Sequence, residues 1–296
     1  MIEFIDRKSG KRNVEKVFGE SAVRMLYQTG PGYLLERSLL SKKPFSILYG
    51  LFNDTPWSAR RISRFIADYE IDLTQFVVPP QGFKSFNEFF IRKLQKGQRE
   101  FPASAGVFGA SAEGRYFVFD QISESRVFPV KGSQVSLGSL FQDQADAARY
   151  TGGVGIIARL CPVDYHRFHF PDSGVATGAR VIAGGLHSVN PVALFRDPEI
   201  FQKNQREISF LESDHFGRVA LIEVGALCVG RIVQTYEAGA KVARGQEKGY
   251  FCFGASTVLI FIEPGRLKVD ADLLSHSAEG IETFLQLGER IGSRVG

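Results

Sequence analysis

Two textures of apolar residues divide the chain. From Val17 to Leu94 they recur at helical spacing, as Val23, Met25, Leu26 and Tyr27, then Leu34, Leu35, Leu39 and Leu40, then Phe45, Leu48, Tyr49 and Phe52. Breaks at Gly30-Pro31-Gly32, Pro44 and Pro56 predict several short helices rather than one long one. Ahead of them, residues 1 to about 16 predict a short strand and a polar turn around Ser9-Gly10-Lys11. Ser85-Phe86-Asn87-Glu88 has capping-box spacing and predicts a helix starting near Phe86, with Arg92 and Lys93 on its solvated face.

Beyond about Arg99 the pattern changes to short β runs punctuated by glycine: Tyr116 to Phe119, Val127 to Val130, Val154 to Leu160, Ala179 to Ala183, Val219 to Val224 and Leu227 to Val233. Helices are expected around Leu137 to Tyr150 and Pro191 to Lys203. Residues 237 to 249 predict a glycine-turned hairpin that leads into two apolar runs, Tyr250 to Phe253 and Val258 to Ile262. A closing amphipathic helix is expected to carry Ile281, Phe284, Leu285 and Ile291. The fold class expected is α+β: an N-terminal helical segment, 1–98, then a mostly antiparallel β sandwich or barrel-like domain, 99–296, with flanking helices.

With 296 residues, 44% of them hydrophobic, the chain can bury a substantial core. A net charge of +4 without a clustered basic patch argues against nucleic acid as a partner. Cys161, Cys228 and Cys252 lie in apolar runs without CxxC spacing and read as reduced core residues, not a zinc site or a disulfide framework. The N-terminus lacks a signal-peptide pattern, and no run approaches the roughly 18 to 20 apolar residues of a spanning helix, so a cytoplasmic location is expected. Trp57, Arg60, Arg61, Ile62, Arg64, Phe65 and Ile66 set an aromatic and apolar stripe beside three arginines. That pattern fits an anionic bilayer surface and equally a helix packed on the domain.

Three places hold candidate chemistry. Ser256 sits in a Gly-Ala-Ser patch between two apolar runs, as either a hydroxyl bonded at a tight bend or a nucleophile. His166 and His169 lie in Asp164-Tyr165-His166-Arg167-Phe168-His169 after an apolar run, a dense titratable cluster suited to acid/base work. Without a companion cysteine or a closely spaced third ligand, no metal is expected there. Glu113, in Ser111-Ala112-Glu113-Gly114-Arg115, is a carboxylate ahead of a strand that reads either as an ordinary turn residue or as a site residue.

These stretches, in this order and together with Leu186-His187-Ser188-Val189-Asn190-Pro191, Val224-Gly225-Ala226-Leu227-Cys228-Val229-Gly230, Phe253-Gly254-Ala255-Ser256-Thr257 and the Phe86 to Leu94 run, resemble the phosphatidylserine decarboxylase family over nearly the whole chain. The resemblance implies a self-processing enzyme with a covalent pyruvoyl cofactor generated from Ser256 by cleavage between Ala255 and Ser256. Fragments 1–255 and 256–296 would stay associated. It implies His169 as the base that activates Ser256, Glu113 as the carboxylate that orients His169, and His166 as the residue that assists protonation during turnover. The reaction implied converts phosphatidylserine to phosphatidylethanolamine and carbon dioxide through a Schiff base, at the cytoplasmic face of an anionic membrane, with the protein bound peripherally and a homodimer left open. Two positions depart from the family's pattern, which has aspartate where Glu113 stands and glycine where Ala255 stands. They leave room for a non-cleaving, lipid-binding relative. A pyruvoyl decarboxylase of a soluble amino acid derivative would not need so apolar and basic an N-terminal segment, and a carrier module would use Lys241 or Lys248 of the hairpin.

Overall fold

The computed structural model describes residues 2–124, 135–228, 231–254 and 256–296. Among these, the largest sheet runs in the order Lys241–Val242, Gly174–Ala176, Arg206–Ser213, Gly217–Val224, Ser256–Ile262, Val154–Leu160, Gly114–Phe119, Glu282–Leu285, Glu3–Asp6 and Arg12–Val14. Arg180–Ile182 adds an eleventh strand on Arg206–Ser213. Neighbours run antiparallel except Glu3–Asp6 beside Glu282–Leu285. Ser256–Ile262 and Val154–Leu160 are buried at every position, and apart from Ser256, Thr257 and Arg159 they are apolar throughout rather than alternating. Two three-stranded sheets complete the β part. One places Glu247–Phe251 between Ile232–Gln234 and Arg167–His169, and the other places Arg290–Arg294 between Leu267–Val269 and Val107–Gly109.

The α+β class and the antiparallel pairing agree with the sequence pattern, but several elements differ. The short strand and turn expected over residues 1 to about 16 are present, and a second strand follows the turn, so that Glu3–Asp6 and Arg12–Val14 together extend the main sheet. The expected hairpin over 237–249 does not close on itself. Its glycines, Gly239 and Gly245, turn at positive φ and send Lys241–Val242 to the main sheet and Glu247–Phe251 to a smaller one. The closing helix is replaced by Ala271–Ala278, ended by Gly280 at φ 75°, and by the strands Glu282–Leu285 and Arg290–Arg294 around Gly288 at φ 84°. Two short strands joined by a turn spaced their apolar residues like one helical face. Val127 to Val130 and the Val229-Gly230 pair lie outside the described residues.

The helices Glu20–Gln28, Gly30–Leu35, Lys43–Asn53, Ile62–Tyr69 and Phe86–Phe90 gather on one part of the molecule. Ile62 and Phe65 turn inward onto Phe86, Phe89, Phe90 and Phe253, which makes this stripe core-facing. Trp57 remains 68% exposed with the Arg60 guanidinium 4.2 Å from its ring centre, and Leu34 and Leu48 are 69% and 67% exposed. Among the described residues no helix is long and apolar enough to cross a membrane. Arg92, expected on a solvated face, is 3% exposed and lies between the rings of Phe76 and Phe89.

Candidate active site

Ser256 opens the central strand of the main sheet opposite Leu160, and its side chain is fully buried. Gly254, two residues earlier, has φ 141°, a conformation that L side chains rarely adopt. Ala255 lies outside the described residues. The chain reaches this point from Glu247–Phe251, in the small sheet that also contains Arg167–His169, and Phe251 N–H donates to the His166 carbonyl at 3.0 Å. A change of sheet within five residues thus sets Ser256 beside the histidine segment.

The side chain that meets Ser256 is His166. Its Nδ1 is 3.3 Å from Ser256 Oγ, and its Nε2 is 2.8 Å from the Cys161 carbonyl oxygen. A carbonyl only accepts, so Nε2 carries the hydrogen and Nδ1 presents a lone pair to the serine hydroxyl. The ring stacks on Phe90 at 3.8 Å between centroids. Burial, reinforced by the charge of Arg92, pushes the imidazole down to about 3, so it is neutral at ordinary pH.

Cys161 lies on a tight turn that fixes this tautomer. Asp164 Oδ2 accepts from Cys161 N at 2.6 Å, and Arg115 pairs with the same carboxylate. From the opposite side, Arg92 Nη2 donates to the carbonyls of Val163 and Asp164 at 3.1 and 3.3 Å. Behind the turn, Arg159 donates to Glu15 and Glu282 and lies 3.0 Å from Cys161 Sγ. The carboxylates of Glu15, Asp164 and Glu282 are paired with Arg115 and Arg159, as buried charges require, whereas Arg92 is held by carbonyl oxygens and the rings of Phe76 and Phe89.

His169 points elsewhere. Its Nδ1 donates to Gly245 O at 2.9 Å, and its Nε2 lies 3.3 Å from the Tyr165 hydroxyl. Burial lowers its pKa, an effect opposed by the Gly245 hydrogen bond. Glu113 is buried and pairs with Arg99 at 2.7 Å. Among the described residues, no hydrogen bond joins His169 to Ser256 or to Glu113. The stretch that carries Glu113 is nevertheless tied to His169, because His169 N–H donates to Ser111 O at 2.7 Å. The structure therefore assembles Ser256 with His166, and holds His169 and Glu113 in separate contacts nearby.

Beside Phe253 and Gly254 lies a cavity of about 260 Å³ between the N-terminal helices and the sheet, with Phe18, Leu40, Phe45 and Tyr49 among its apolar walls. Cys161 and Arg159 border it on the sheet side.

A family model for phosphatidylserine decarboxylase matches residues 86–293. A phosphatidylserine decarboxylase proenzyme of Clostridium novyi is 40% identical over 295 residues, covering all of both chains. One of Ruminiclostridium cellulolyticum is 42% identical over 295 residues, all of this chain and 98% of the relative. One of Desulfitobacterium hafniense is 40% identical, covering 99% of each chain. The chain belongs to the phosphatidylserine decarboxylase family.

Several residues of this phosphatidylserine decarboxylase family member that shape the site carried little signal in the sequence. Arg92 is expected on a solvated face, and Asn87 is only an interior position of the capping-box run. In the structure Asn87 Oδ1 accepts from Phe253 N at 3.0 Å, and Arg92 braces the His166 turn. The only local hint was the density of aromatic residues around them, which marks a buried helix where a polar residue needs a partner.

Proposed function

We propose that the protein is made as a proenzyme, cuts its own chain ahead of Ser256, and then decarboxylates phosphatidylserine to phosphatidylethanolamine and carbon dioxide. The observation that carries this is a fully buried serine hydroxyl 3.3 Å from an imidazole nitrogen that carries no hydrogen, two residues after a glycine in a conformation few other residues adopt. The family and the proenzyme names of the relatives support the same reading.

In self-cleavage, Ser256 Oγ adds to the carbonyl carbon of residue 255. The peptide C–N bond breaks, and the nitrogen of residue 256 takes a proton, leaving an ester. Elimination of the carboxylate of residue 255 leaves a dehydroalanine at the new N-terminus. Water then replaces its nitrogen, releasing ammonia and leaving a pyruvoyl group.

The two histidines divide the work in this reading. A base whose pKa is about 3 holds the Ser256 hydroxyl in place but drives its deprotonation poorly, since general bases work best near the operating pH. His169 is the stronger candidate for the base: Nδ1–H is spent on Gly245 O, which leaves Nε2 as the accepting nitrogen, and the ring must leave its contact with the Tyr165 hydroxyl and move to meet Ser256. In this arrangement the acceptor that orients the ring is Gly245 O, and Glu113, paired with Arg99, acts on His169 only through the backbone bond from His169 N–H to Ser111 O. His166 then stands next to the reacting carbon in turnover, and passes a proton there only after Nδ1 has received one.

A pyruvoyl group at residue 256 would sit against His166 Nδ1, and it would supply an electron-accepting carbonyl for the decarboxylation. The exposed Leu34, Leu48 and Trp57, with basic Arg60 beside the last, support peripheral docking on an anionic membrane surface. The cavity beside Phe253 has the apolar walls that the lipid next to the headgroup requires.

The test is the intact mass of the denatured protein together with carbon dioxide release from phosphatidylserine in detergent micelles. Two fragments, 1–255 and 256–296, the smaller with a blocked N-terminus, and gas evolution are expected. A single full-length chain that releases no carbon dioxide would sink the proposal.

A further inference from the structure

The strand that delivers Ser256 needs something to hold the residues just ahead of it, and the structure supplies a polar contact from the N-terminal part of the chain. Asn87 is 6% exposed on the Phe86–Phe90 helix. Its Oδ1 accepts from Phe253 N at 3.0 Å, and its Nδ2 donates to Asp54 Oδ1 at 2.7 Å. A carboxylate only accepts, so Asp54 fixes which end of the amide faces Phe253. Phe253 N is two residues ahead of the bond that self-cleavage breaks. The same short helix also presents Phe90, which stacks on His166 and packs against Phe253 at 4.9 Å between ring centres.

From this geometry we infer that Asn87, oriented by Asp54, is a positioning residue for self-cleavage, which pins the backbone at Phe253 so that the carbonyl of residue 255, two residues on, meets Ser256 Oγ. The inference rests on the self-processing reading. Aromatic packing alone would let the 253–254 backbone slide along the apolar wall, whereas a buried amide that loses its acceptor has no alternative partner in a dry site. Asp54 begins where the exposed Lys43–Asn53 helix ends, so the contact also ties the cleavage segment to the apolar face of the N-terminal helices.

A swap of the two side chains isolates the hydrogen bonds from packing. Asn87→Asp sets two carboxylates against each other, and a backbone displacement of about 1 Å lowers rates on the order of a hundredfold, so self-cleavage is expected to slow between about tenfold and a hundredfold. Asp54→Asn with Asn87→Asp restores one donor and one acceptor in the same places, and is expected to recover most of the native rate. The assay follows conversion of the full-length chain into its two fragments after synthesis. Equal rates for Asn87→Asp and the native chain, or a double variant as slow as the single one, would overturn the inference.

A second measurement keeps the question separate from self-processing. In chains held intact by Ser256→Ala, Asn87→Ala is expected to speed hydrogen exchange of the peptide containing Phe253 while the Val154–Leu160 strand exchanges as before. Unchanged exchange at Phe253 refutes the role of Asn87. A native chain that never cuts refutes self-processing instead, and exchange still decides the Asn87 contact.

Discussion

Replacing each histidine in turn separates maturation from turnover. His169→Gln removes the bare Nε2 while keeping a side chain of similar reach that can donate to Gly245 O. General-base assistance contributes about a hundredfold to ten-thousandfold, or roughly 3 to 5 kcal/mol of barrier, so the His169→Gln chain is expected to stay uncut over hours in which the native chain matures. His166→Gln has a different effect. His166 is neutral at working pH and too weakly basic to draw the proton from Ser256, so its loss is expected to slow cutting by about tenfold at most, and to abolish carbon dioxide release by the processed protein. Pulse-labelled chains on denaturing gels measure the first quantity. Gas release per mole of processed fragment measures the second. If His166→Gln stays uncut while His169→Gln matures normally, the 3.3 Å contact alone governs maturation, and the reasoning from basicity is wrong.

Other expectations test separate parts of the structure. Lys248 is buried 2.8 Å from Glu223, its pKa lowered by burial against the pull of that carboxylate, so Lys248→Met leaves a buried charge unpaired and should lower stability by about 3 to 5 kcal/mol in urea. Lys248→Met with Glu223→Leu should recover most of that loss, and a double variant no more stable than the single one would refute the pairing. The folded state holds His166 near 3 against an ordinary value near 6.5, so the unfolded chain binds the extra proton as pH falls between these values. Stability should therefore be complete above about pH 6.5 and fall below it by up to roughly 1.4 kcal/mol per pH unit from this residue, with a shallower fall in His166→Gln. Leu48→Glu should weaken binding to phosphatidylglycerol vesicles by about tenfold, as expected when one mostly exposed leucine no longer enters the interface, and equal sedimentation with both chains would place the docking face elsewhere.

The sequence by itself determined much of this protein. Continuous apolar runs at Val154 to Leu160 and Val258 to Ile262 marked the buried central strands, because a strand covered on both faces has no polar alternation. The Ser85 capping box marked the Phe86–Phe90 helix, where Ser85 Oγ accepts from Glu88 N at 3.1 Å. The order of short motifs was enough to identify the family. Tertiary structure decided what pattern cannot encode. Pairing partners assigned Lys241–Val242 and Glu247–Phe251 to different sheets, and a turn at Gly288 made strands of what was spaced like a helix. It also decided which histidine touches Ser256. His166 and His169 stand three residues apart, but the Cys161 to Asp164 turn aims one at the serine and Gly245 draws the other away. Arg92 and Asn87 could not be read from local sequence because their partners lie 71 and 166 residues along the chain, and only the packed fold makes a surface-like polar residue a buried support.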